Sequence, residues 1–304
     1  MERGAQVGAP LPPAEPDEQE GWRFDEGDEI APGLSALRPL GLARRYETYL
    51  AWHEPMLSPV VVKLLRPDRV TDRGALEGLA AEARALASLD HPVLMRSYGA
   101  ALDGPRPHLV LEFLEGPRLS TLIRRFGPLA VEQAVPLGSQ LSSALHFMAH
   151  SGWVHLDVKP KNIIMGAPAR LIDLSVAHTL DEAARLDSRV GTDAYMAPEQ
   201  VEPGRHGSSG SGSDVWGLGV TLYEAVTGWR PFGDGEEGEF PQLDGNRLPY
   251  PAEVPPALAE IIDVCMAPKP QDRPTAREVF AALEPLLAVL PTRPIIGRLK
   301  PRMR

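Results

Sequence analysis

The first third of the chain predicts a small sheet that carries one helix. A β-branched run at residues 59–65 and an apolar run at 108–113 are typical of strands. Between them, apolar residues recur at helical spacing: Leu76, Leu79, Ala80, Ala83, Leu86 and Ala87. Thr71 or Asp72 is expected to cap this helix, because short polar side chains accept hydrogen bonds from the first helical amides.

After Gly116 the pattern becomes mainly helical. The longest apolar face ends near Gly152, a natural helix stop, and its members are Ala130, Ala134, Leu137, Leu141, Leu145 and Met148. Three further helical faces follow, at residues 215–226, 258–265 and 279–287. The sequence therefore predicts an α+β protein with a β-rich part at about 33–114 and a larger helical part at about 117–290.

The two ends of the chain differ in charge. Residues 1–30 hold nine acidic residues against Arg3 and Arg23, together with several prolines. Such a composition buries too little apolar surface to offset its ordering entropy, so residues 1–32 are predicted to be a disordered acidic tail. Residues 291–304 hold five basic residues and no acidic one, and they are predicted to be a solvated basic tail. No nucleic-acid partner is expected.

Composition narrows the location and excludes some kinds of site. The single Cys265 cannot form an internal disulfide or a multi-cysteine metal centre. No apolar run approaches the roughly 18 residues that a membrane span needs, and the N-terminus lacks the pattern of a secretory signal. A cytoplasmic location without a membrane span is therefore the expectation.

Candidate chemistry is concentrated in two short segments. Residues 155–162 read His-Leu-Asp-Val-Lys-Pro-Lys-Asn, and residues 172–175 read Ile-Asp-Leu-Ser. These segments resemble the catalytic domain of bacterial, Hanks-type Ser/Thr protein kinases, in which H-R-D-x-K-x-x-N is followed by D-F-G. Phosphoryl transfer depends on positioning and on charge neutralisation, which explains the residue types.

The resemblance implies a role for each polar residue of these segments. Asp157 is implied to orient the attacking hydroxyl, with Lys159 beside it as a second catalytic residue. Asn162 and Asp173 are implied to hold Mg²⁺, with Mn²⁺ as an alternative metal. His155 is interpreted as a structural residue beneath the catalytic loop. ATP is the implied phosphoryl donor.

The N-terminal part supplies an implied nucleotide-binding set. The strand sequence Val-Val-Val-Lys that ends at Lys63 is similar to the family's V-A-I-K. Lys63 is implied to contact the α- and β-phosphates and to pair with Glu82 of the following helix. Gly41, Glu112 and Leu114 complete the implied set.

The resemblance continues downstream and covers roughly residues 33–290. Residues 197–199 match A-P-E, residues 214–216 match the start of a large buried helix, and Arg273 stands where the family places the partner of the A-P-E glutamate. The implied fold is therefore bilobal, with a small β-rich lobe and a larger helical lobe.

The glycine-rich loop departs from the family pattern. G-x-G-x-x-G is here Gly41-Leu-Ala43-Arg-Arg-Tyr46, which keeps the first glycine only. Glycine lets backbone amides approach phosphates closely, so this loop predicts weakened nucleotide binding. Replacing Ala43 and Tyr46 together by Gly is then expected to strengthen ATP binding, whereas a loss would show that Tyr46 belongs to the site.

Two further departures bear on regulation. Leu156 replaces the arginine that precedes the catalytic aspartate, so activity is expected not to depend on phosphorylation of Thr179 or Ser188. Thr192 is interpreted as a structural threonine that contacts the catalytic loop. Residues 233–257 show little helical periodicity where the family has a docking helix, so recognition of substrates or of a regulatory protein partner is expected to differ.

Three functions fit these observations. The first is an ATP-dependent Ser/Thr protein kinase with a protein substrate, and Lys159 favours Ser/Thr over Tyr specificity. The second is a pseudokinase that binds nucleotide or a partner, and the third is a small-molecule kinase of the aminoglycoside type, which lacks A-P-E. His146 and His150 lie four apart on a predicted helix, but exposed or satisfied histidines are a better interpretation than a metal pair because other ligands are missing.

Overall fold

A six-stranded antiparallel sheet forms the first part of the fold. The computed structural model describes residues 21–233 and 239–290. The strands are β1 Glu29–Ala31, β2 Leu34–Leu42, β3 Tyr46–His53, β4 Ser58–Leu65, β5 Ser97–Ala101 and β6 His108–Glu112. They lie side by side in the order β1-β2-β3-β4-β6-β5. The two strands predicted from apolar runs correspond to β4 and β6.

One long helix crosses the sheet between β4 and β5. Helix α1 spans Arg73–Ser88, and Asp72 caps it by accepting a hydrogen bond of 3.0 Å from the amide of Ala75. The helix buries Leu79 and Leu86 together with Glu82. Both the predicted helix and its predicted cap are confirmed. The burial of a carboxylate on the apolar face calls for a cationic partner.

The second part of the fold is mainly helical. Its helices are α2 Leu119–Phe126, α3 Val131–His150, α4 Leu180–Ala183, α5 Pro198–Val201, α6 Ser211–Thr227, α7 Pro256–Cys265 and α8 Ala276–Ala288. Four two-residue strands lie among them: β7 Trp153–Val154, β8 Ile163–Ile164, β9 Arg170–Leu171 and β10 His178–Thr179. Helix α6 is buried along most of its length, so the other elements pack around it. None of the helices within the described ranges is both long and apolar enough to cross a membrane.

Close packing in this part depends on glycine at one helix crossing. A Cβ added to Gly138 of α3 would lie 3.1 Å from Leu222 of α6 and 3.0 Å from Leu283 of α8. Interiors are packed as densely as organic crystals, so an extra methyl group here would require these two leucine side chains to shift. This crossing holds α3, α6 and α8 together beneath the loops that carry the polar residues.

The segment 21–32 corrects the sequence prediction of a disordered tail at 1–32. The amide of Trp22 donates to Oε1 of Glu47 over 3.0 Å, and its indole Nε1 donates to the carbonyl of Leu65 over 2.7 Å. The guanidinium of Arg106 lies 5.2 Å from the Trp22 ring and 4.9 Å from the Phe24 ring. Two aromatic side chains on the outer face of the sheet thus outweigh the acidic composition. Residues 1–20 and the predicted basic tail 291–304 lie outside the described residues.

Candidate active site

A buried carboxylate anchors the loop between β7 and the short helix Pro160–Asn162. Asp214 of α6 accepts hydrogen bonds from the amides of His155, at 2.8 Å, and Leu156, at 2.7 Å. Burial raises the pKa of Asp214, and the nearby His155 acts in the opposite direction. Because the anchor ends directly before Asp157, it fixes the backbone from which that side chain projects. His155 is fully buried beneath the loop, as its structural interpretation required.

Three polar side chains surround the carboxylate of Asp157. Lys159 Nζ donates to Oδ2 over 2.6 Å, Asn162 Nδ2 donates to the same oxygen over 3.0 Å, and the Thr192 hydroxyl donates to Oδ1 over 2.7 Å. Lys159 Nζ also donates to Thr192 Oγ1. A carboxylate has about four acceptor positions, so one position on Oδ1 remains for another hydroxyl. Thr192 contacts the catalytic loop as the sequence predicted.

A second polar cluster joins the sheet to α1. Lys63 Nζ of β4 donates to both carboxylate oxygens of Glu82, at 2.7 and 2.9 Å, and to Oδ1 of Asp173 over 3.2 Å. The Glu82 side chain is fully buried, while 13% of the Lys63 side chain is exposed. Lys63 is therefore the cationic partner that the buried Glu82 needs. The sequence predicted this pair, and the structure also brings Asp173 to it.

Charge in this cluster follows from burial and pairing. Burial alone would lower the pKa of Lys63, but the carboxylates of Glu82 and Asp173 raise it above its ordinary value. Burial would raise the pKa of Asp173, but Lys63 and the side chain of Ser175 hold it well below its ordinary value. Burial raises the pKa of Glu82, and Lys63 opposes this effect. At neutral pH, Lys63 is a cation and Asp173 an anion.

The two clusters meet where β8 pairs with β9. The amide of Ile172 donates to the carbonyl of Asn162 over 2.9 Å, and Ile163 pairs with Leu171 in the two-stranded ladder. Asp173 directly follows Ile172 and has a positive φ of 69°. Asn162 directly precedes β8 and Asp173 lies two residues after β9, so both residues are at the same end of this hairpin.

The other residues implied to bind nucleotide, Gly41, Glu112 and Leu114, are not members of these two hydrogen-bonded clusters. Gly41 lies in β2, where an added Cβ would meet no atom within 4 Å. Glu112 ends β6, and its carboxylate accepts a hydrogen bond of 2.8 Å from Arg170. Leu114 is half-buried and packs against the main apolar core. Their part in nucleotide binding stays a prediction.

The two histidines of α3 singled out by their spacing lie close to each other. The ring centroids of His146 and His150 are 6.3 Å apart. Within residues 21–233 and 239–290, no cluster of three or more histidine, cysteine or acidic side chains could hold an ion.

Two residues that contact this site were not among the site residues predicted from the sequence. Tyr46 lies against Lys63, with its ring centroid 4.7 Å from Nζ. Gln200 of α5 donates to the carbonyls of Leu156, at 2.9 Å, and Val190, at 2.8 Å. The sequence showed that residue 46 is not the glycine of the family pattern, but it did not predict the contact of Tyr46 with Lys63. For Gln200 the sequence offered no signal beyond its place after A-P-E.

Comparison with known proteins decides the family. A sequence profile described as the protein kinase domain matches residues 37–283. The chain belongs to the protein kinase family. Its small sheet lobe with one helix and its larger helical lobe confirm the predicted bilobal fold, and the family uses ATP with a divalent metal ion and acts on protein substrates.

The similar curated proteins are bacterial Ser/Thr protein kinases. The chain is 33% identical to PkaA of Streptomyces coelicolor over 232 residues, which are 74% of the chain and 42% of PkaA. It is 33% identical to PkaB of the same organism over 76% of the chain and 58% of PkaB. It is 34% identical to PknA of Mycobacterium tuberculosis over 73% of the chain and 53% of PknA. The chain thus matches about half the length of these relatives, and their names support the first of the three functional hypotheses.

Proposed function

We propose that this chain transfers the γ-phosphoryl group of ATP to serine or threonine hydroxyls of a protein substrate. The observation that carries the proposal is the joining of two clusters, Lys63–Glu82–Asp173 and Asp157–Lys159–Asn162, through the hydrogen bond from Ile172 to Asn162. One cluster provides a fixed cation beside a carboxylate, and the other provides a carboxylate with acceptor capacity to spare. Phosphoryl transfer needs both.

In this proposal Asp157 orients the acceptor hydroxyl and takes its proton. The vacant acceptor position on Oδ1 is the one offered to the substrate. Lys159 and Thr192 hold the carboxylate in place through their own hydrogen bonds. Lys159 also places a positive charge where negative charge develops during transfer.

The donor set at residues 162 and 173 fits a divalent metal ion. Asn162 turns its amide nitrogen toward Asp157, which leaves its amide oxygen for a metal, and Asp173 is ionised at neutral pH. Carboxylate and amide oxygens are hard ligands of the kind that Mg²⁺ prefers, and Mn²⁺ accepts them too. When bound, such an ion would neutralise phosphate charge during transfer. We propose Mg²⁺ as the working metal.

The nucleotide would lie between the sheet and the catalytic loop. Lys63, held by Glu82, is the proposed contact for the α- and β-phosphates. The backbone at Gly41 is the proposed cover for the phosphates. Since Arg170 occupies the Glu112 carboxylate, we assign residues 112–114 a backbone role in nucleotide binding, with Leu114 lining the apolar side.

The proposal also includes a regulatory partner and a cellular location. A regulatory protein partner is proposed for residues 239–257, where the described chain forms one short helix at Pro241–Leu243 before α7 begins at Pro256, in place of a longer docking helix. A cytoplasmic location is proposed because the one cysteine of the chain, Cys265, is buried and unpaired.

Transfer of labelled phosphate tests the proposed function. The purified chain is incubated with γ-labelled ATP and a generic protein acceptor, with Mg²⁺, with Mn²⁺ or with a chelator. We expect label on serine and threonine, little on tyrosine, the highest rate with Mg²⁺ and none with the chelator. Absence of transfer at saturating Mg²⁺ and ATP would contradict the proposal. No contact among the described residues favours the pseudokinase alternative.

A further inference from the structure

Tyr46 occupies the position of the third glycine in the family's loop pattern. It is the first residue of β3 and pairs with Leu65 at the end of β4. Lys63 pairs with Thr48, two residues further along β3. Tyr46 is therefore the diagonal neighbour of Lys63 on the same face of the sheet, a spacing that long and aromatic side chains can bridge.

The Tyr46 ring lies close to the Lys63 ammonium group. Nζ is 4.7 Å from the ring centroid, within the roughly 6 Å at which a cation is attracted to an aromatic face. The same ammonium group donates to Glu82 and Asp173, so the ring covers a side of Lys63 that these carboxylates do not. Because Lys63 is mostly buried, water competes little for this contact.

The other side of Tyr46 meets α1 at a residue without a side chain. A Cβ added to Gly78 would lie 3.2 Å from the Tyr46 hydroxyl oxygen. Gly78 precedes Glu82 by one turn of the helix, so the two residues lie on the same face. The phenol thus fills the space between β3 and the helix that carries the partner of Lys63.

Burial also keeps the phenol in its neutral form. It raises the pKa of Tyr46 above its ordinary value of 10.0, and Lys63 acts in the opposite direction. At neutral pH the contact is therefore between an ammonium group and a neutral aromatic ring.

We propose that Tyr46 is a positioning residue that holds the Lys63 ammonium group and α1 in the arrangement of the Lys63–Glu82 pair. The proposal rests on the proposed function and deepens it by naming what organises the nucleotide site. The loop 41–46 is then specialised, since the ring of Tyr46 positions the Lys63 ammonium group and glycine has no side chain that could do so. This replaces the expectation that glycine at residue 46 would improve binding.

Kinetics of three substitutions test the proposal. Tyr46→Phe keeps the ring and should keep kcat/KM for ATP within about twofold. Tyr46→Leu and Tyr46→Gly remove the ring, and they should lower kcat/KM for ATP by about fivefold to thirtyfold, the equivalent of one cation–π contact in a desolvated site. Tyr98→Leu, at a 43% exposed aromatic residue of β5, is the matched control and should change nothing. A Tyr46→Gly variant with wild-type or higher kcat/KM would overturn the proposal.

A spectroscopic measurement separates positioning from general stability. The ring should shift the Lys63 CεH₂ proton resonance upfield, and the signal can be assigned with Lys63→Arg because the chain has five lysines. We expect Tyr46→Phe to keep this shift and Tyr46→Leu to lose it, at temperatures where all variants are folded. A Lys63 resonance that is the same in wild type and Tyr46→Leu would overturn the proposal even if both variants lost activity.

Gly78→Ala provides an independent variant from the helix side. The added methyl group presses on the Tyr46 hydroxyl, so Gly78→Ala should lower kcat/KM for ATP in the wild type and much less in the Tyr46→Phe background. Equal effects in both backgrounds would show that the hydroxyl does not meet α1 as proposed.

The outcomes also distinguish this proposal from the proposed function. ATP affinity in the presence of Mg²⁺ and the Lys63 resonance can be measured without any phosphoryl transfer. If the wild type transfers no phosphate, but Tyr46→Leu weakens ATP binding and loses the Lys63 shift while Tyr46→Phe does neither, then the positioning role stands and the enzymatic role fails.

Discussion

The side-chain amide of Gln200 donates to the backbone carbonyl of Leu156 across 2.9 Å. The same amide reaches the carbonyl of Val190 over 2.8 Å, so it ties the catalytic loop to the segment before Gly191. A Cβ on Gly191, which has a φ of 119°, would lie 2.6 Å from the Leu156 carbonyl oxygen, so glycine is required there. Leu156 itself is buried with Val154. The catalytic loop and the segment before Gly191 are thus held together by the neutral amide of Gln200. In the family pattern an arginine stands at the position of Leu156.

Activity should therefore be independent of phosphorylation between residues 175 and 196. Ser188→Ala combined with Thr179→Asn is expected to leave the rate of phosphoryl transfer within about twofold, because buried Leu156 cannot pair with a phosphate. Asparagine is chosen at residue 179 because it cannot be phosphorylated, while its side-chain oxygen can still cap α4 as the Thr179 hydroxyl does by accepting from the amide of Glu182. Phosphatase treatment of the wild type is the matched control. A large loss of rate in the double variant that phosphatase treatment reproduces would contradict this prediction.

A buried ion pair below the site should dominate local stability. Arg273 donates to both carboxylate oxygens of Glu199, at 2.6 and 2.8 Å, and both side chains are fully buried. Arg273→Ala is expected to lower the free energy of unfolding by about 3–5 kcal/mol, because it leaves a buried carboxylate without its partner. Denaturant unfolding of wild type and variant provides the measurement.

Two comparisons sharpen the Arg273 prediction. Arg273→Lys should recover little of the loss, since an ammonium group cannot reproduce the two parallel bonds of the guanidinium. Arg277→Ala, at an exposed position of α8, should change the free energy of unfolding by no more than about 0.5 kcal/mol. A loss below about 1 kcal/mol in Arg273→Ala would show that the pair is not the stabilising contact.

The one cysteine of the chain offers a test of packing between α6 and α7. Cys265 is fully buried, and a Cβ on Gly219 of α6 would lie 2.8 Å from its Cβ. Burial raises the pKa of Cys265 to about 12 from an ordinary 9.0. We expect thiol reagents to modify the native protein slowly at pH 8 and rapidly after denaturation.

The raised pKa of Cys265 also fixes the sign of a pH effect. The native thiol keeps its proton while an unfolded thiol loses it, so its contribution to stability is present below pH 9 and falls as the pH rises from 9 toward 12. The free energy of unfolding of Cys265→Ala should fall less steeply than that of the wild type above pH 9. Parallel pH slopes, or native reactivity equal to that of a free thiol, would contradict the burial of this residue.

The spacing of apolar residues predicted those helices in which the apolar pattern repeats over several turns. Helices α1 and α3 were predictable because their apolar residues recur every three or four positions. The segment 21–32 was not, because its aromatic residues lie within an acidic, proline-rich stretch and their partners are distant in sequence. Glu47 and Arg106 hold Trp22 only after the sheet has formed.

The site was predictable to the extent that its residues form contiguous motifs. Asp157, Lys159 and Asn162 fall within six residues, and the resemblance linked them to Lys63 and Asp173. The contact of Tyr46 with Lys63 and the space at Gly78 depend on how α1 packs against the sheet. The sequence pattern showed only that glycine is missing at residue 46, and it therefore predicted weakened nucleotide binding. It could not show that the Tyr46 side chain contacts Lys63.

The most direct test of the proposed function compares chemistry with nucleotide binding in Asp157→Asn. The substitution keeps the shape of the side chain but removes the proton acceptor, so phosphoryl transfer should fall by about 10²- to 10⁴-fold while the Kd for ATP with Mg²⁺ stays nearly unchanged. Lys63→Ala, measured in parallel, should instead weaken ATP binding. Wild-type turnover by Asp157→Asn would contradict the assignment of Asp157 as the residue that activates the acceptor hydroxyl.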